Sequence, residues 1–105
     1  MNDQLEITYR GTVQLLDVND IQYIKSDNVY VEIFTEGHRY IQRKFLGQIS
    51  EELPSQFVRI HRSYLINMDH VTQRKKNFVM IEDHKIPVSR KFDLEEIKIS
   101  ENQSA

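Results

Sequence analysis

The sequence predicts a mainly β protein built from small antiparallel sheets with two short helices. Three observations carry that prediction. Apolar residues alternate with polar ones along much of the chain, the spacing of strands with one buried and one wet face. Turn-forming pairs, among them Arg10-Gly11, Asp27-Asn28 and Glu36-Gly37, interrupt these runs at short intervals. Helical spacing is confined to two places, so the element order lacks the strand–helix–strand alternation of a parallel sheet.

Leu5, Ile7 and Tyr9 alternate with polar neighbours, and Arg10-Gly11 turns the chain into a second strand over residues 12–16. Residues 21–26 form a third strand. After the Asp27-Asn28 turn, residues 29–35 form a fourth, with Val29, Val31 and Ile33 on one face. Glu36-Gly37 leads into a fifth over His38–Gln42. Leu46, Ile49 and Leu53 then fall at i, i+3 and i+7. They mark one side of a short helix opened by Arg43-Lys44 and ending before Pro54.

Residues 57–67 begin as a strand in which Val58 and Ile60 alternate with Arg59 and His61. They present His61-Arg62-Ser63 before the chain becomes apolar again. Val71–Arg74 and Phe78–Ile81 read as a hairpin across Lys75-Lys76-Asn77, and residues 82–84 turn into a strand over 85–88. Ser89 caps a final short helix, with Leu94 and Ile97 packing back. Residues 1–99 read as a single domain and residues 100–105 as a polar tail.

At 105 residues the chain is long enough for one modest core. It has no cysteine, which excludes disulfides and thiolate metal sites and is compatible with a cytoplasmic setting. No apolar run reaches the roughly 18 residues of a membrane helix. Net charge is −2, unevenly spread: residues 1–37 carry −5, residues 38–92 carry +6 and residues 93–105 carry −3. A basic middle between acidic ends fits a polyanion-binding face better than the total charge does. An enzyme is not expected. Gly11, Gly37 and Gly47 do not form a phosphate-cradling loop, the four histidines lack ligand spacing, and neither metal nor cofactor is implied.

A strand that ends in imidazole, guanidinium and hydroxyl suits a polyanion: Arg offers a planar fork to phosphate or a guanine edge, and Ser donates to phosphate. Taken alone, Arg59 and Arg62 read first as solvated charges at a strand end. Arg90, after Ser89 at a helix start, has the same two readings. The segment from Phe57 to Asn67, however, resembles the signature of the LytTR family of bacterial DNA-binding domains. Ile21-Gln22-Tyr23-Ile24-Lys25-Ser26 followed by Tyr30-Val31-Glu32-Ile33 is similar to that family's first motif, and Ile86-Pro87-Val88-Ser89-Arg90-Lys91-Phe92 to its last.

The resemblance implies an elongated domain of several small antiparallel sheets that meets double-stranded DNA through loops. It makes Arg90 a base reader in a major groove, and Lys91 beside it reads as a phosphate contact or a solvated charge. It lays His61, Arg62 and Ser63 against the backbone and nearby bases, with His61 also able to orient the loop. It assigns DNA contact to the loop around Asn28, although Lys25 and Val29 depart from the family pattern there. Lys44 is a further phosphate candidate. The expected function is sequence-specific DNA binding in bacterial transcription regulation, as the output domain of a two-component response regulator or as a free-standing regulator. No receiver domain is read in the sequence. The protein is expected to be a monomer in solution that fills paired DNA repeats, two copies to a site. The alternative is a small β-rich protein-interaction or sensory module without DNA binding.

Overall fold

The computed structural model describes residues 3–92. Its backbone is a central antiparallel sheet of five strands in the order β5-β4-β3-β7-β6, with a smaller sheet on each side. The central strands are β3 (Ile21–Asp27), β4 (Tyr30–Thr35), β5 (His38–Gln42), β6 (Phe57–His61) and β7 (Tyr64–Asn67). The hairpin β1 (Gln4–Tyr9) and β2 (Thr12–Asp17) lies on one side with helix α1 (Leu46–Ser50). A three-stranded sheet of β8 (Val71–Arg74), β9 (Phe78–Ile81) and β10 (His84–Pro87) lies on the other. The principal extents of 43 × 28 × 26 Å match the elongated shape expected.

Two cores result, one on each face of the central sheet. Leu5, Ile7, Ile24, Val31, Ile33, Leu46, Ile49 and Leu65 fill the first. Tyr23, Ile60, Ile66, Val71, Val79, Ile81 and Ile86 fill the second. Strand β3 serves both, and four consecutive residues, Ile21 to Ile24, are buried. Its pairing with β4 slips between Ile21 and Tyr23, and this bulge lets Ile21 and Ile24 share the first core although strict alternation would separate them.

The hairpin turns follow local chemistry. Arg10 and Gly11 both take positive φ (53° and 78°), the handedness that suits the twist of paired strands and that Gly11 adopts without steric cost. Asn28 stands at φ 62°, a conformation asparagine tolerates, and Asp27 pairs with Tyr30. Val29 is therefore a turn residue, and β4 begins at Tyr30 rather than at Val29 as the periodicity suggests. Helix α1 likewise ends at Ser50, well before Pro54. The amide of Leu53 reaches back only three residues, to Ser50, and the chain tightens into turns while Leu53 still packs on the core. Residues 57–67 form two strands, β6 and β7, joined at Arg62-Ser63. The proposed helix with Leu94 and Ile97 lies outside the described residues, as does the tail.

Hairpin β1–β2 is fastened to the central sheet through one buried side chain. Gln42 accepts the Thr8 N–H at Oε1 (3.0 Å) and donates Nε2–H to the Thr8 carbonyl (2.7 Å), imitating a strand neighbour. Asn67 acts similarly at the far end of β7. Its Nδ2 donates to the Ile21 carbonyl (2.9 Å), and its Oδ1 accepts the Asp69 N–H (3.0 Å), so it closes its own turn and ties it to β3.

Replacing fully buried Asn67 by Leu leaves the Ile21 carbonyl and Asp69 amide without these partners. The expected loss is about 2–3 kcal/mol, read as a lower midpoint in urea unfolding. An unchanged midpoint would show the bonds to be replaceable. Tyr23, stacked on Phe34 at 4.4 Å, has its phenol pKa raised, first by burial and then by Tyr64 and Glu32. A raised folded pKa leaves its contribution to stability intact below about pH 10, the unfolded value, and removes it as pH climbs toward the folded value. Tyr23→Phe is therefore expected to flatten the alkaline limb of a stability–pH curve, and an unaltered limb would refute the linkage.

Candidate nucleic-acid interface

The strand order brings four separate segments to one end of the central sheet. Asp27 at the end of β3 pairs with Tyr30 at the start of β4, and Val31 pairs with Gln42, so the exit of β5 into Arg43-Lys44 lies beside the Asn28 turn. On the other side Lys25 pairs with Tyr64 and His61 with Tyr64, which sets the Arg62-Ser63 turn next to the end of β3. The Ser26 amide bonds the Ser63 carbonyl at 2.9 Å and joins the two turns directly. The fourth segment arrives from β10: the Ser89 amide bonds the Ile60 carbonyl at 2.8 Å, which brings Arg90 and Lys91 beside His61. With strands about 4.8 Å apart, the four gaps span roughly 20 Å, the rise of about six base pairs.

Each expected site residue can now be placed. Asn28 is exposed at its turn. Arg62 is exposed, and Ser63 and His61 are half-buried. His61 Nδ1 accepts the Ser63 N–H at 3.1 Å, so this nitrogen carries no proton and the ring braces the turn. The ring also meets Tyr64 edge-on at 5.6 Å. Ser89 caps the turn that carries Arg90, its Oγ accepting the Lys91 N–H at 3.3 Å and its carbonyl the Phe92 N–H at 3.1 Å. Arg90 and Lys91 are exposed. Lys44 precedes the helix rather than opening it, and its Nζ lies 3.0 Å from Glu52. Among the described residues it is the one expected contact already held by an acid.

Three further charged residues, named in the sequence reading but not assigned a DNA contact of their own, complete the end. Arg59 Nη2 donates to the Arg62 carbonyl at 2.7 Å and holds the turn from β6. Arg43 lies over the Tyr30 ring at 5.8 Å, and Lys25 lies 6.0 Å from the Tyr64 ring. The cross-strand register is what brings them to this end. The Lys75-Lys76-Asn77 tip flanks the same end, since the Val88 amide bonds the Asn77 carbonyl at 2.9 Å.

The opposite end is acidic. Asp20, Glu36 and Glu82 line one shallow cavity with Gln22, Thr35 and His70, and Asp17, Asp69 and Asp83 occupy neighbouring turns. The fold thus gathers Asp20, Glu36 and Glu82 at the end away from Arg62 and Arg90. A field of that polarity turns one end toward a polyanion and the other away from it. Among the described residues no group of three or more His, Asp or Glu side chains is placed to hold a metal, and no helix is long and apolar enough to cross a membrane.

A small β domain with basic turns gathered at one end of its sheet has the charge pattern of a nucleic-acid-binding domain, and comparison with known proteins narrows this. The LytTr DNA-binding domain matches residues 11–98, and the chain belongs to that family. It is 29% identical over 96 residues to the sensory transduction protein LytT of Bacillus subtilis, covering 85% of this chain and 40% of that protein. It is 30% identical over 78 residues to the transcriptional regulatory protein LytR of Staphylococcus aureus, covering 73% of this chain and 32% of that one. The chain thus spans well under half the length of these relatives. A solved LytTr DNA-binding domain from Bacillus cereus superposes with a TM-score of 0.75 over 86% of this chain and 89% of that one. At 15% identity, the likeness is one of fold.

Arg59→Ala removes a charged donor from the Arg62 carbonyl, with an expected loss of about 1 kcal/mol at this exposed position. Amide exchange at residues 61–63 should quicken more than exchange in β3. Equal quickening throughout would mean that Arg59 supports the fold generally and not the turn.

Proposed function

We propose that this chain reads double-stranded DNA sequence-specifically in bacterial transcription regulation, through the end of the sheet that carries residues 28, 43–44, 61–63 and 90–91. The observation that carries this reading is the convergence of those segments on one basic end, opposite an acidic end, in a LytTr family domain. Arg62 and Arg90 are exposed, and among the described residues neither guanidinium is engaged by a carboxylate. Both remain available for the bidentate geometry that reads guanine. Asn28 offers an amide of the kind that reads adenine. Ser63 and Lys91 contact phosphate and fix the register, while His61 keeps the turn in shape. Lys44 joins them by exchanging Glu52 for a phosphate oxygen.

The role fits the output part of a longer response regulator or a free-standing regulator, working in the cytoplasm where the DNA is. No catalytic step is assigned to any residue. One copy offers few base contacts, so affinity for a single half-site is low. The protein is a monomer that fills paired repeats about one helical turn apart, each copy on the same face of the duplex.

Selection of bound sequences from a random duplex pool, followed by titration, tests this reading. The wild-type chain should return a defined site, and its binding should fall with salt on a log–log slope of about −3 or steeper. Arg90→Ala should lose about 1–3 kcal/mol on that site and relax preference at one base position, whereas Lys91→Ala should weaken all sequences alike. An unchanged sequence preference in Arg90→Ala would remove Arg90 as a base reader, and failure to select any sequence would overturn the whole reading.

A further inference from the structure

Phe45 is an anomalous choice for the place it occupies. It is the N-cap of α1 (φ −89°, ψ 152°), where Ser, Thr, Asp or Asn is favoured because a side-chain oxygen accepts the free amides of the first turn. A benzyl group makes no such bond. The helix start is secured from the other direction, with Gln48 Oε1 accepting the Phe45 N–H at 2.8 Å. Packing does not account for the ring either: Phe45 is 60% exposed, while the adjacent Leu46 is 3% exposed and fills the core. A large apolar side chain has been kept in water at the cost of a helix cap.

Its surroundings suggest why. Two residues earlier, Arg43 covers the Tyr30 ring, and Tyr30 is itself 42% exposed. Two residues later, a methyl group added at Gly47 would lie 3.8 Å from Nη1 of Arg59, the side chain that holds the Arg62 turn. Phe45 thus follows Arg43-Lys44 directly at the basic end, in a segment whose Gly47 lies close to Arg59. On a duplex, a basic pair such as Arg43-Lys44 meets phosphates, and an exposed ring next to it can reach the groove. The thymine C5-methyl is the apolar group that base edges present in the major groove.

We propose that Phe45 is a specificity residue that packs against a thymine methyl in the bound site. This inference rests on the DNA-reading function proposed above. The ring supplies what the arginines lack, an apolar surface that distinguishes thymine from cytosine at one position. Its exposure in the free protein is then the cost of that contact.

The experiment uses the wild-type chain, Phe45→Ser and Phe45→Leu, each titrated on the selected duplex and on duplexes with single thymines replaced by deoxyuridine. Phe45→Ser should raise Tm by a few degrees, because serine restores the cap, and should weaken binding by about tenfold. One deoxyuridine position should weaken wild-type binding by about fourfold, the worth of a buried methyl, and should leave Phe45→Ser unaffected. Phe45→Leu should retain sensitivity to that position. Undiminished affinity in Phe45→Ser, or equal deoxyuridine penalties in wild type and Phe45→Ser at every position, would overturn the proposal. A wild-type chain that selects no site would instead defeat the DNA-reading function itself.

Discussion

The burial of β3 on both faces is the constraint on which the molecule depends. Ile21 and Ile24 face the core under hairpin β1–β2 and α1, and Tyr23 faces the core under the β8–β10 sheet. A strand with no wet face must be paired on both edges, and β3 pairs with β4 on one side and β7 on the other. Those two pairings set the Asn28 turn and the Arg62-Ser63 turn side by side. A slip of one residue in either register would turn the apolar residues away from their cores, so the positions of the turns are fixed by the same energy that folds the domain.

The candidate interface follows from that arrangement rather than from any motif in isolation. The Ser26–Ser63 and Ser89–Ile60 backbone bonds connect β3, the β6–β7 turn and the segment after β10 into one edge. Side chains then rigidify it: Arg59 holds the Arg62 carbonyl, and His61 holds the Ser63 amide. Loops that read nucleic acid must be held in shape before binding, because ordering them at the moment of contact would subtract from affinity. Among the described residues Arg62 and Arg90 are not paired with a carboxylate, while Asp20, Glu36 and Glu82 meet at the other end. The same sheet provides both the rigid support and the separation of charge.

Much of this was legible in the sequence, and the part that was not has a physical reason. Period-two alternation and the turn pairs located the strands, and Leu46 and Ile49 located the helix, because these signals are local. The departures arose where tertiary pairing overrides local pattern. Val29 has strand character but spans a two-residue turn once Asp27 pairs with Tyr30. Leu53 keeps the helical spacing but packs from beyond the end of the helix. The basic candidates were individually visible, yet their meeting at one end depends on contacts tens of residues apart, as between Ser26 and Ser63 or Ile60 and Ser89. Arg59 and Arg43 were visible only as charges of uncertain role, since a guanidinium bonded to a carbonyl and one lying free in water are the same letter, and Phe45 carried no signal of its own. The family resemblance supplied the order of motifs, and the strand pairing supplies the reason they belong together.

The central claim, that a single end of the five-stranded sheet meets DNA, is tested most directly by the amide chemical-shift changes of the labelled protein on titration with its selected duplex. The account predicts changes concentrated at residues 28–30, 43–45, 61–63 and 89–91, with the turns at 19–20, 36–37, 69–70 and 82–83 left unmoved. Changes centred on those acidic turns, or on the exposed face of β2, would contradict it.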